Sequence, residues 1–154
     1  VNDIDARTLW HYQAIVVSPN LLSTTPGQGT AYLTAFRDNK GEFLDGGEVY
    51  KLNVPANPPV ARFWAVTAYD ATTRGLLDAG GNTNNSIGSA NKPVENADGS
   101  VDIYFGPTKA PKGKVKNWVR TNGKKGFFVV FRFYGPKEGY IDKSWVLGDF
   151  ERVK

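Results

Sequence analysis

Two stretches constrain this chain more than any others: Arg62–Asp70, reading RFWAVTAYD, and Phe127–Gly135, reading FFVVFRFYG. Valine, threonine and aromatic residues alternating with a period of two suit a pleated, buried strand. In the first stretch one face carries Phe63, Ala65, Thr67 and Tyr69, and the other Arg62, Trp64, Val66, Ala68 and Asp70. Neither face is polar enough to meet water along its length. The second stretch is apolar on both faces except at Arg132. Both are therefore expected as interior strands, sealed above and below.

The rest of the chain surrounds that pair with shorter elements. Asp5–Val17 reads as a helix capped by Asp5, with Leu9, Tyr12 and Val16 on its apolar stripe, and Ser18-Pro19 ends it. Leu21–Thr30 reads as a loop. Strands are expected at Thr30–Arg37, at Tyr50–Val54 with Tyr50, Leu52 and Val54 inward, and at Ser100–Phe105 with Val101, Ile103 and Phe105 inward. Asn117–Thr121 and Ser144–Leu147 read as short strands or turns. Asp78–Asn91, rich in Gly, Asn and Ser, reads as a loop, and its glycines lack dinucleotide-binding spacing. Strands at short intervals with turn chemistry between them predict an all-β fold: an antiparallel β-sandwich of jelly-roll type with a short N-terminal α-helix. Residues 1–29 form a helix and linker in this reading, and 30–154 the sandwich domain.

Composition removes several classes of function. The 154 residues contain no cysteine and one histidine, His11, so thiolate and imidazole metal cages are out of reach and no metal or cofactor is expected. The net charge of +4 does not by itself indicate nucleic acid, and no apolar run reaches the ~20 residues that span a bilayer. The Asp38–Gly41 turn invites a calcium-loop reading, but Lys40 falls where a second oxygen ligand belongs. The chain begins with Val and reads as the middle of something longer, so a processed or truncated piece is expected.

Three constellations could carry chemistry. The charges Arg62, Asp70 and Arg132 lie among apolar neighbours, and a guanidinium in a dry interior is costly unless paired. Arg132 is therefore expected to meet a carboxylate or several backbone carbonyls, either as a structural pair or lining a cleft for an anionic or hydroxylated ligand. The aromatic residues Trp64, Tyr69, Trp118, Tyr134 and Trp145, together with Asp70 and Arg132, are candidate ligand-binding residues, because exposed rings stack on sugars. Trp118 and Trp145, in more polar stretches, are expected to be the more exposed. Finally, no acidic residue lies between Asp102 and Glu138, where Lys112, Lys114, Lys116, Arg120, Lys124 and Lys125 fall around Trp118. That run could hold a polyanion, or simply form a solvated hairpin edge. No nucleic-acid motif accompanies it, so nucleic acid is not the expected partner. A Ser–His–acid triad would have to use His11 and lacks a nucleophile elbow. A glycosidase-like carboxylate pair could draw on Asp70, Asp78, Asp98 and Asp102, which nothing in one dimension brings together.

The segment Phe63-Trp64-Ala65-Val66-Thr67-Ala68-Tyr69-Asp70 resembles the signature of the bacterial domain of unknown function 1214. So do Ser86-Ile87-Gly88-Ser89, Asp98-Gly99-Ser100, Phe105-Gly106-Pro107, Asn117-Trp118, Arg132-Phe133-Tyr134-Gly135-Pro136 and then Trp145, in order from about Ala31 onward. The resemblance implies a β-sandwich, a bacterial source, a periplasmic or secreted location, and an N-terminal partner, domain of unknown function 1254, in a longer parent. It implies no activity. The leading reading is a non-enzymatic domain that packs on a partner domain or binds a carbohydrate-like ligand. A carboxylate-dependent hydrolase and a polyanion binder using Lys109–Lys125 are the alternatives.

Overall fold

The structure is a computed structural model that describes residues 3–10, 25–80 and 84–153. Among the described residues, eight strands form two four-stranded sheets. The strands are β1 (Thr30–Ala35), β2 (Val49–Val54), β3 (Val60–Asp70), β4 (Ser86–Gly88), β5 (Val101–Gly106), β6 (Trp118–Arg120), β7 (Phe127–Pro136) and β8 (Glu151–Val153). The first sheet runs β1-β7-β3-β4 and the second β6-β5-β2-β8. The two long strands β3 and β7 occupy the interior of the first sheet, antiparallel and in register from Phe63↔Tyr134 to Asp70↔Phe127. The fold is thus an all-β sandwich. One pair departs from the antiparallel expectation: β5 and β6 run parallel.

The core lies between the sheets, and its composition follows from strand periodicity. Trp64, Val66 and Ala68 of β3 meet Val129, Phe131 and Phe133 of β7 on the inner face of the first sheet. Tyr50, Leu52 and Val54, with Val101, Ile103 and Phe105, line the second sheet. Trp64 stacks on Phe131 at 5.5 Å, and Phe105 meets Phe127 and Phe150 at 6.0 and 5.2 Å. The hydroxyl of Tyr50, raised in pKa by burial, accepts the Asp45 amide at 3.1 Å, so this phenol enters the core without losing its polar partner.

Several local expectations change. The helix α1 spans Ile4–Trp10, and the Asp3 carboxylate, not that of Asp5, accepts an early helix amide (Ala6, 2.9 Å). The remainder of the expected helix, His11 included, lies outside the described residues. The Gly/Ser-rich loop contains β4, which adds an edge to β3 through Ala65↔Gly88 and Thr67↔Ser86. Gly135–Lys143 contains a one-turn helix, α2 (Glu138–Ile141). The last strand is Glu151–Val153, while Ser144–Leu147 is irregular because Trp145 turns inward onto Phe131 and Phe133. Above all, only one face of β3 and β7 is sealed. Phe63 is 38% exposed, and Tyr69, Arg132 and Tyr134 are half-buried.

Candidate functional site

The unsealed side of the first sheet is the most unusual surface among the described residues. Register places Phe63, Ala65, Thr67 and Tyr69 of β3 beside Tyr134, Arg132, Val130 and Phe128 of β7, and Tyr32 and Thr34 of β1 beyond them. Alternation requires this: the partners of inward residues point inward, and every second residue must point out. The aromatic rings form two stacks. Phe63 lies on Tyr134 at 3.9 Å, and Phe128 is flanked by Phe36 at 5.0 Å and Tyr69 at 5.2 Å.

Arg132 stands between the stacks. Its guanidinium lies 5.9 Å from the Tyr32 ring centre and 5.4 Å from that of Tyr69, and donates a hydrogen bond to the Tyr69 hydroxyl. Among the described residues no carboxylate is within ion-pair distance of it. The expected buried ion pair is therefore replaced by a half-exposed, aromatic-flanked cation; facing outward, it keeps partial solvation and needs no internal counter-charge. Arg62 also leaves the expected buried set, since it is exposed near the irregular start of β3.

Asp70 is the one buried member of that set, and it builds the turn that follows β3. Its carboxylate accepts the Thr72 and Thr73 amides at 2.8 and 3.0 Å and meets Lys125 at 2.8 Å. Lys125 and then these amides hold its pKa down to about 2. The turn ends with Arg74 in the left-handed region, at φ 62°, its amide donating to the Asp70 carbonyl. This conformation carries the Arg74 guanidinium over Phe128 and Phe36, at 5.4 and 5.8 Å. Asp70 thus serves the outer face indirectly. Ionised and saturated with partners, it is poorly suited to act as a general acid.

The other sequence candidates go elsewhere. Trp64 is core, 5% exposed. Trp145 packs on Phe131 and Phe133 and donates Nε1–H to the Ala56 carbonyl at 3.2 Å. Trp118 covers Gly106 on the outside of the second sheet; a Cβ at that glycine would lie 2.6 Å from the indole Cη2, which gives Phe105-Gly106-Pro107 its glycine. The basic run is dispersed: Lys125 is taken by Asp70, Lys114 by the Asn96 side chain at 3.1 Å, and Arg120 by the Pro107 carbonyl at 3.3 Å. Lys112, Lys116 and Lys124 are exposed. So Tyr69, Arg132 and Tyr134 converge, while Trp64, Asp70, Trp118 and Trp145 do not join them. Tyr32, Phe36, Phe63, Arg74 and Phe128 are additional members of the site. The shared phase of 63/69 and 128/132/134 was a signal for them, but it could not say which phase faces out. Among the described residues no group of three or more His, Cys, Asp or Glu side chains is placed to hold a metal ion, and no helix is long and apolar enough to cross a membrane.

Residues 29–138 match the model of a family described as "Protein of unknown function (DUF1214)". The chain belongs to the DUF1214 family. No curated protein matches it. Its fold is similar to that of the VPA0106 protein of Vibrio parahaemolyticus (TM-score 0.72, 23% identity), covering 94% of this chain and 34% of that one. It is also similar to an uncharacterised protein from Burkholderia cenocepacia (TM-score 0.61, 19% identity), covering 96% of this chain and 33% of that one. The chain spans about a third of the length of these two structures.

Proposed function

We propose that this DUF1214 domain is a non-enzymatic docking module whose first sheet packs, through its outer face, on a second protein domain. The observation that carries this reading is Arg132: a guanidinium flanked by Tyr32 and Tyr69 and without a carboxylate partner among the described residues. A contiguous aromatic surface whose cations pair with no carboxylate among the described residues suits a partner that brings apolar area and a carboxylate. The greater length of the two similar structures supports a partner within the same polypeptide, such as the domain of unknown function 1254. A periplasmic or secreted location belongs to the same proposal. It draws on the family resemblance, and fractionation of cells expressing the parent gene tests it.

Superposition on the Vibrio protein gives the first check: the counterpart of this face should be covered by the other two-thirds of that chain. Supplied as a separate polypeptide, that remainder should bind this domain and protect β7 amides. Arg132→Glu should weaken binding at least about tenfold by setting like charges together. Lys51→Glu on the second sheet should leave it unchanged. A counterpart face open to solvent, or binding indifferent to Arg132→Glu, would refute the reading.

A second reading of the same face is an acidic saccharide, favoured by the Phe63–Tyr134 stack beside a guanidinium, which offers an apolar platform and an anion partner together. Stabilisation of the chain in a thermal-shift series by oligogalacturonate, but not by a neutral oligosaccharide, would select it.

A further inference from the structure

A cavity of about 440 Å³ opens at one end of the sandwich, away from the aromatic face. Its volume lies in the range of small-molecule sites, at the small end. Trp64 is among its lining residues, and Pro55, Pro58 and Pro93 stiffen its walls. Three charged side chains line it: Lys92, Glu95 and Asp98.

Each wall is pinned from outside by a side chain. The Ala56 carbonyl in the β2–β3 connector accepts the Trp145 indole N–H at 3.2 Å. The fully buried Asn117 clamps the wall next to Pro93 and Glu95, accepting the Val94 amide at 2.7 Å and donating to the Val94 and Asp102 carbonyls, each at 2.8 Å. The buried Ser100 fixes the Asp98 turn, its hydroxyl donating to the Asp98 carboxylate at 2.7 Å. That carboxyl is held below its ordinary pKa, first by this hydrogen bond, and so stays ionised. Two residues on the cavity wall, Asn57 and Lys92, have positive φ values of 54° and 51°. Asparagine visits this region readily, and Lys92 adopts it as the cap that ends the Ser89–Asn91 turn. Lys92 and Glu95 have no side-chain hydrogen bond or ion pair among the described residues. A rigid hollow therefore exposes an uncommitted ammonium, an uncommitted carboxylate and a second carboxylate with one oxygen free.

We infer that this cavity is a binding site for a small zwitterion, an amino acid or dipeptide with an apolar side chain. The ligand ammonium faces Glu95 and Asp98, its carboxylate faces Lys92, and its apolar body rests against Trp64 and the prolines. A purely anionic ligand would meet two carboxylates, and a purely cationic one would leave Lys92 unanswered; only a zwitterion answers all three charges.

The test is an NMR titration of the 154-residue chain with L-phenylalanine, with phenethylamine and 3-phenylpropionate as analogues lacking one charge each. The expected result is saturable shifts confined to the Trp64 indole and to residues 55–58 and 89–99, with each analogue at least about tenfold weaker. Glu95→Gln and Lys92→Gln, both at exposed side chains, should each weaken L-phenylalanine binding while leaving the rest of the spectrum in place. No shift at these residues with L-phenylalanine or the dipeptide Leu-Leu overturns the inference. So do equal affinities for all three phenyl compounds, or shifts confined to the first sheet's outer face.

Discussion

The outer surfaces of the two sheets differ in how their charges are satisfied. On the second sheet, Lys51 meets Glu151 at 2.9 Å and Asn53 donates to Asp102 at 2.7 Å, while at the sheet edge, in phase with Tyr50, Arg152 donates to Glu48 at 2.9 Å. Lys51 and Asp102 thus have partners on the same surface, and the Glu151 pairing holds the Lys51 ammonium above its ordinary pKa. On the first sheet, Arg74 and Arg132 rest on aromatic rings and no carboxylate among the described residues answers them. A face that pairs its own charges has little to gain from a partner. A face that leaves cations among exposed rings has both area and charge to offer. The same sandwich thus presents one finished surface and one unfinished surface.

The largest test of this contrast sets the two sides of the first sheet against each other. Phe131→Ala, between the sheets, should cost about 3–5 kcal/mol in denaturant unfolding. Phe63→Ala, on the outer face, should cost about 1 kcal/mol, for the loss of one partly exposed ring stack. Equal costs would mean that the outer face is as integral to the isolated fold as the core. Next comes the finished surface. Gly106→Val should destabilise by about 1–3 kcal/mol, because its side chain must displace the Trp118 indole. A neutral outcome would show that the cover on the second sheet is loose.

Acid titration addresses the turn that carries Arg74. The Asp70 carboxyl is held at about 2, below its ordinary 3.8, so the stability it contributes is complete above roughly pH 4 and is lost as pH falls toward 2. Asp70→Asn should be less stable at neutral pH and show a flatter stability–pH slope across that window. An unchanged slope would remove Asp70 from the account. The smallest effects are expected at exposed charges. Lys51→Ala and Arg132→Ala should each cost about 1 kcal/mol or less in the isolated chain, and only Arg132→Ala should weaken docking. A large folding penalty at Arg132 would make it scaffold.

How far the sequence could be read depended on the range of the interactions involved. The period-two pattern marked β3 and β7, and the inward triplets Tyr50/Leu52/Val54 and Val101/Ile103/Phe105 are all buried. β4 was hidden because Ser86-Ile87-Gly88 owes its strand to pairing with Ala65–Thr67, and its own residues carry a loop composition. Of the candidate site, Tyr69, Arg132 and Tyr134 were legible as chemistry-bearing residues. Arg74 was not, because only the Asp70-centred turn swings it onto Phe128.

By itself the sequence determined that two aromatic strands would lie inside a β-sheet, and which residues along each would share a side. That much is local, since the pleat alternates whatever lies beyond it. The tertiary structure decided which side is buried, because both sides are apolar enough to serve and only packing against the second sheet breaks the tie. It also decided that Arg132 would stand among rings with no counter-charge among the described residues, for a side chain's partners come from strands far away in the chain.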